Sequence, residues 1–207
     1  MPLRPLPRAF FARNPRRVAR ELLGKVLVRK SGKLFLSARI VEVEAYLGIN
    51  DPAAHAAAGN TTRNAVLFGP PGYAYVYFIY GNHYCLNVSC EREGRAGGGV
   101  LFRALEPLTG IQKMARARGI VLHGPGNLPK LTSGPGRLAQ AFGITRTRDN
   151  GCDLILPSSG LWIGEDAFRA HGIQITPRIG IRKAADKRLR YVLAGNPFVS
   201  GPKTPIH

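Results

Sequence analysis

Two carboxylates and a phenol stand at alternate positions in ARIVEVEAYLG (38–48): Glu42, Glu44 and Tyr46. Side chains alternate across a strand, so these three share a side with Ile40, while Val41, Val43 and Ala45 face a core. An ionised carboxylate in a sheltered place is a general base. Alternation alone does not choose between Glu42 and Glu44, and a solvated strand face would have the same pattern. A second group complements them. In GGVLFRALEP (98–107), Arg103 interrupts an apolar strand, with Leu101 and Leu105 on its own side and Val100, Phe102 and Ala104 on the other. A charge in that setting needs a partner, because an unpaired buried charge is very costly. Glu42 or Glu44 is the natural one, and an adjacent guanidinium would keep the carboxylate ionised at neutral pH. A purely structural ion pair fits the same residues.

The third chemical feature is aromatic. Five of the seven tyrosines fall within residues 73–84: Tyr73, Tyr75, Tyr77, Tyr80 and Tyr84. Residues 73–79 and 84–90 read as two strands joined at Gly81-Asn82, a dipeptide that tolerates the positive φ of a tight hairpin. Tyr73, Tyr75 and Tyr77 would line one face of the first strand. Tyr80 would sit at the hairpin tip as a wedge for nucleic acid bases, with Tyr77 deeper as a stacking platform. Aromatic residues also favour strands and pair across hairpins for stability alone.

The elements that must position these groups are short. Residues 14–23 read as a helix capped by Asn14, with Pro15 in its first turn and Gly24 after its end. KVLVRK (25–30) and SARIVEVEAYLG (37–48) alternate as strands, separated by a turn around Ser31-Gly32. Residues 53–68 read as loop and short helix. A strand over 98–107 ends at Pro107, a helix follows over 109–119, and 120–132 read as loop. A second helix over 133–143 has Ser133 as a candidate cap. The C-terminal third alternates short strands with turns. No phosphate-binding GxGxxG or Walker loop is present. The pattern predicts an α+β fold. Short strands joined by tight turns with a few helices make one mixed, largely antiparallel domain over 1–207, with loosely ordered ends at 1–13 and 202–207.

Charge narrows the function. The 207 residues carry 30 Lys+Arg against 12 Asp+Glu, a net +18. Of these cations 22 are Arg, whose planar fork suits phosphate and stacks on flat groups. They are spread along the chain, as on a folded nucleic-acid-binding surface. Three cysteines without a CxxC pair argue for a reducing compartment and against a zinc site, so no metal or other cofactor is expected. No apolar run is long enough for a membrane span, and the basic N-terminus lacks the apolar core of a secretory signal.

Eight fragments, in this order and at this spacing, resemble the alkyladenine (methylpurine) DNA glycosylase family: RIVEVEAYLG, DPAAH (51–55), TRN (62–64), YVYFIYGNHYCLNVS (75–89), LFRALEP (101–107), SGPGRL (133–138), PRIGI (177–181) and NPFVS (196–200). The match runs from about residue 14 to 201, and it implies a single β-rich domain with a curved sheet, peripheral helices and a protruding hairpin. The resemblance implies that Glu44, rather than Glu42, is the catalytic acid that activates water, and that Arg103 helps hold that water. It implies that Tyr46, His55 and Tyr77 surround a flipped base, that Asn87 discriminates against the exocyclic amine of guanine, and that Tyr80 fills the gap left in the duplex. Arg63 falls on a basic position near the DNA backbone. The expected activity is monofunctional hydrolysis of the N-glycosidic bond of alkylated or deaminated purines. The expected partner is double-stranded DNA carrying damaged purines, bound by a monomer inside the cell, with no membrane involved. Two other readings stay open: a non-catalytic basic nucleic-acid-binding module, in which Glu44 would be dispensable, and an unrelated β-rich hydrolase, for whose site DNA would not compete.

Overall fold

A computed structural model describes residues 3–201 except 80, 82 and 93. In chain order its strands are β1 (Arg4–Pro5), β2 (Val26–Ser31), β3 (Leu34–Tyr46), β4 (Ala74–Ile79), β5 (His83–Ser89), β6 (Gly99–Thr109), β7 (Leu161–Glu165), β8 (Ile173–Pro177) and β9 (Arg188–Leu193). Its helices are α1 (Arg8–Phe11), α2 (Pro15–Leu22), α3 (Ile111–Arg118), α4 (Pro129–Thr132), α5 (Pro135–Ala141) and α6 (Arg146–Asp149). Every strand pairing is antiparallel. The sheet order is β1-β7-β2-β3-β6-β5-β4, with β9 pairing both β3 and β8. The α+β, β-rich class read from the sequence is the one found: one curled antiparallel sheet with a few helices.

The thirteen-residue β3 organises the sheet. One of its edges takes β2 along residues 34–39 and then β9 along Glu42–Glu44, while the other follows β6. The β3–β6 register slips between Ile40 and Glu42 and again between Glu42 and Val43. The first slip leaves Val41 without a partner on β6; the second leaves Arg103 without a partner on β3. Bulges of this kind bend a strand and re-aim its side chains. They overturn the simple alternation. Ile40 does not share a polar side with the two glutamates but joins Val41, Val43 and Ala45 in the main core, and Glu42 and Glu44 are themselves fully buried.

The core lies between the sheet and the helices. Phe11, Val18 and Leu22 pack with Phe102, Leu138 and Phe142 in one cluster, and Val26, Val28 and Trp162 form a small second one. The α2 helix begins as its sequence dictates: Asn14 Oδ1 accepts the Arg16 N–H at 3.0 Å, Pro15 opens the first turn, and Gly24 follows with φ +84°.

Several boundaries differ from the sequence reading. Residues 4–13 are not loose: β1 pairs β7, and Leu6 and Phe11 are buried. Strand β6 runs through Pro107 to Thr109, because a register slip lets Pro107 sit opposite Ala38 without donating to the ladder. Ser133 does not cap α5; its hydroxyl donates to Phe198 O at 2.6 Å, and α5 starts at Pro135. The stretch 120–132 contains a 3₁₀ turn and α4 rather than loop alone. The β4–β5 hairpin is present, described as far as Ile79↔His83. Tyr80 and Asn82 lie outside the described residues, and with them the wedge expected of Tyr80.

Candidate active site

The hairpin, the end of β3, the middle of β6 and the loop after β8 converge on a cavity of about 560 Å³. This is within the range that encloses a small organic ligand. Tyr46, His55, Tyr77, Asn87 and Arg103 all line it, so five of the eight residues singled out in the sequence meet at one place. Glu44 is not itself in the lining but contacts three residues that are, Tyr46, Arg103 and Ile179. Arg63 is exposed, outside the lining, but close enough for its charge to act on His55 and Tyr75.

Glu42 and Glu44 now differ. A carboxylate has about four lone-pair positions. Glu42 meets four donors, three of them on one oxygen. Its Oε1 accepts from Arg103 Nε at 2.9 Å, Arg190 Nε at 2.7 Å and the Ser200 hydroxyl at 3.0 Å, and its Oε2 accepts the Ser200 N–H at 2.5 Å. Glu44 uses three. Its Oε1 accepts the Ile179 N–H at 2.7 Å and lies 3.3 Å from Arg103 Nη1, and its Oε2 accepts the Tyr46 hydroxyl at 3.0 Å. Oε2 of each carboxylate keeps an acceptor position, but the holders of Glu44 (Tyr46, Arg103 and Ile179) all line the cavity, whereas Arg190 and Ser200, which hold Glu42, do not.

The protonation of Glu44 departs from the simple expectation. Arg103 does favour its charged form, as do the Ile179 N–H and the Tyr46 hydroxyl, but burial outweighs them and, with Glu42 nearby, raises its pKa above the ordinary carboxylate value. A carboxyl moved up toward neutrality is a better-matched base than one held far below it. The Tyr46 phenol is pushed up in turn, by burial and by Glu44, so it remains a donor. Arg103 is kept charged by Glu44 and Glu42 in spite of its burial.

The aromatic wall is built by the β4–β5 pair. Tyr75 and Tyr77 project to the same side of β4 with ring centroids 5.5 Å apart, and the His55 ring stands edge-on to Tyr77 at 4.5 Å. His55 Nδ1 is 2.9 Å from the Tyr75 hydroxyl. Burial, then Arg63, lowers the His55 pKa, so the imidazole is neutral at pH 7. Asn87, opposite Tyr75 on β5, donates from Nδ2 to Tyr75 O at 3.2 Å and is buried at the cavity wall. On the far rim Gly136 touches His83 so closely that a Cβ would sit 2.9 Å from its ring. Arg118 and Arg137 complete that side.

A family model described as methylpurine-DNA glycosylase matches residues 9–197, nearly the whole chain. The chain belongs to the methylpurine-DNA glycosylase family. It is therefore an enzyme of the DNA glycosylase class, a hydrolase of N-glycosyl bonds. A relative from Koribacter versatilis is 62% identical over 201 residues, covering 97% of this chain and 95% of that protein. Relatives from Burkholderia lata and Rhodopseudomonas palustris are each 48% identical, over 96% of this chain and 92% and 91% of their own lengths. All three carry the provisional name 3-methyladenine DNA glycosylase.

Sequence reasoning gave no site role to Tyr75, Asp51, Arg178 or Ile179. Tyr75 carried a signal, since it alternates with Tyr77. The other three stand inside the quoted DPAAH and PRIGI fragments, where nothing local shows what they touch.

Proposed function

We propose that this glycosylase is monofunctional, flips alkylated or deaminated purines out of duplex DNA into the 560 Å³ cavity, and hydrolyses the N-glycosidic bond with a water activated by Glu44. The observation that carries the reading is which glutamate the cavity wall holds. Of the two buried glutamates, Glu44 alone has all of its partners in the cavity wall, with one acceptor position left on Oε2.

The chemistry follows from the groups present. A base inside the stack is out of reach, so it must be extruded, at a cost of a few kcal/mol that is least for damaged pairs. The extruded base lies among Tyr46, Tyr77 and His55. Their faces attract the cationic rings of 3-methyladenine or 7-methylguanine, and the neutral imidazole adds no opposing charge. Asn87 stands at the wall, where the exocyclic amine of guanine would meet it. Water bound to Glu44 and oriented by Arg103 attacks C1′. Its proton passes to Glu44, the C1′–N bond breaks, and the bonding pair leaves with the base. The carboxylate also stabilises positive charge growing on the sugar. Arg63 and the other surface cations hold phosphates. The resemblance assigns Tyr80 to the gap in the duplex. The enzyme acts as a monomer, inside the cell where its substrate is.

The test uses duplex oligonucleotides carrying one defined lesion each, with alkaline cleavage of abasic sites as the readout. The wild type releases at least one alkylated or deaminated purine. Glu44→Gln keeps lesion-DNA binding and loses about 100- to 10,000-fold in single-turnover rate. No cleavage by the wild type at any such lesion, or full activity in Glu44→Gln, refutes the reading.

A further inference from the structure

One buried ion pair takes no part in the reaction as described, yet packs on Tyr46 and adjoins the residue whose N–H donates to Glu44. Arg178 and Asp51, 127 residues apart, both have fully buried side chains. They meet fork to fork, Nη1 to Oδ2 at 2.5 Å and Nη2 to Oδ1 at 2.9 Å. Arg178 Nη1 also donates to Ala45 O at 3.0 Å, and the guanidinium carbon lies 4.6 Å from the centroid of the Tyr46 ring. Arg178 itself does not line the cavity. Asp51 also accepts from the N–H groups of Leu47 at 3.1 Å and Ala53 at 3.2 Å. Both ends of the pair lead straight into the site. The residue after Arg178 is Ile179, whose N–H donates to Glu44. The turn gathered by Asp51 delivers Ala53, Ala54 and His55 to the cavity.

Stability alone is a weak reason to bury such a pair, because a well-packed apolar pair of similar volume is often as stable. Direction is a better reason. We propose that Asp51 and Arg178 are positioning residues for the hydrolysis: their ion pair aims the Ile179 N–H and the Tyr46 O–H at Glu44, and so leaves the remaining acceptor position of Glu44 turned toward the cavity. The inference rests on the reading of Glu44 as the base.

The groups facing Glu44 are Glu42 and Tyr46 from β3, Arg103 from β6, Cys85 from β5, and Arg178 and the Ile179 N–H from the loop after β8. The Ile179 N–H favours the charged carboxylate. Loosening it while keeping the charge at position 178 raises the pKa of Glu44. Activity then needs a higher pH, and the acid limb of the rate profile moves up. A strut that served stability only would lower the melting temperature and leave the limb in place.

The decisive variant is Arg178→Lys, which conserves charge but loses the two-pronged contact and the stacking on Tyr46. Single-turnover base release from a duplex carrying one hypoxanthine or one 7-methylguanine is measured across pH, well below the melting temperature. The expected results are a rate reduced by roughly 10- to 100-fold through misplacement and an acid limb displaced upward by about one pH unit, the worth of one hydrogen bond to a charged group. Asp51→Glu, also charge-conserving, repeats the measurement. A folded variant with wild-type rate and limb overturns the proposal, as does a lower melting temperature with an unmoved limb. Failure of both variants to fold assigns the pair to stability and overturns it too. Absence of base release by the wild type, run alongside with Glu44→Gln, sinks the functional reading instead.

Discussion

Replacing Glu42 by Gln separates what holds the site from what acts in it. The four donors on Glu42 leave an amide no good orientation. With its nitrogen at the Oε2 position, the amide points N–H at the Ser200 N–H. With the nitrogen at Oε1, it faces two guanidinium groups and a hydroxyl. Either way Arg190 loses the only carboxylate it contacts among the described residues, keeping Thr176 Oγ1 at 3.0 Å and Ser200 O at 2.8 Å. Arg103 keeps Glu44. Breaking a buried pair by removing one partner costs about 3–5 kcal/mol. For a chain of this size that lowers the melting temperature by roughly 6–20 °C. Differential scanning calorimetry gives the melting temperature, and lesion-duplex turnover well below it gives the activity. Glu42→Gln should be strongly destabilised while losing less base release than Glu44→Gln. A melting temperature within about 2 °C of wild type would show that the Arg103–Glu42–Arg190 cluster is not a structural tie. A stable Glu42→Gln as inactive as Glu44→Gln would reverse the two roles.

Two further outcomes follow from other contacts. Tyr75→Phe removes the hydroxyl beside His55 Nδ1, and one net hydrogen bond of about 0.5–1.5 kcal/mol corresponds to a 2- to 10-fold loss in affinity for lesion DNA. Equal affinity by fluorescence anisotropy would mean that His55 is held by packing alone. The logarithm of duplex affinity should fall with the logarithm of salt at about −0.9 per phosphate neutralised, so roughly −3 or steeper if the net +18 serves DNA; a flat response between low and physiological salt would refute that use of the charge.

The local features of the fold were legible because their causes are local. Asn14 caps, Gly24 ends a helix, and the strands either side of Gly81 pair as a hairpin. The need of Arg103 for a carboxylate was legible too, since an apolar strand cannot carry a lone charge; it meets both candidates. Alternation misplaced Ile40, because a bulge depends on the partner strand and leaves no mark in the bulged one. Pro107 looked like a stop for the same reason. The choice between Glu42 and Glu44 was fixed by resemblance and not by pattern. What separates them physically is Arg190, Ser200 and Ile179, each more than 130 residues downstream.

That remoteness has a consequence for how the protein comes into being. Glu42 is sealed by Arg190 and Ser200, and Glu44 by Ile179. A ribosome delivers β3 long before any of these. Until the last seventh of the chain emerges, the central strand carries two carboxylates that cannot be dehydrated cheaply, so the sheet around it must stay open to water. Closure of such distant contacts is slow and comes late. The reactive centre is thus completed last, and a nascent or C-terminally truncated chain is left with a wet, unfinished middle rather than an active enzyme lacking its tail.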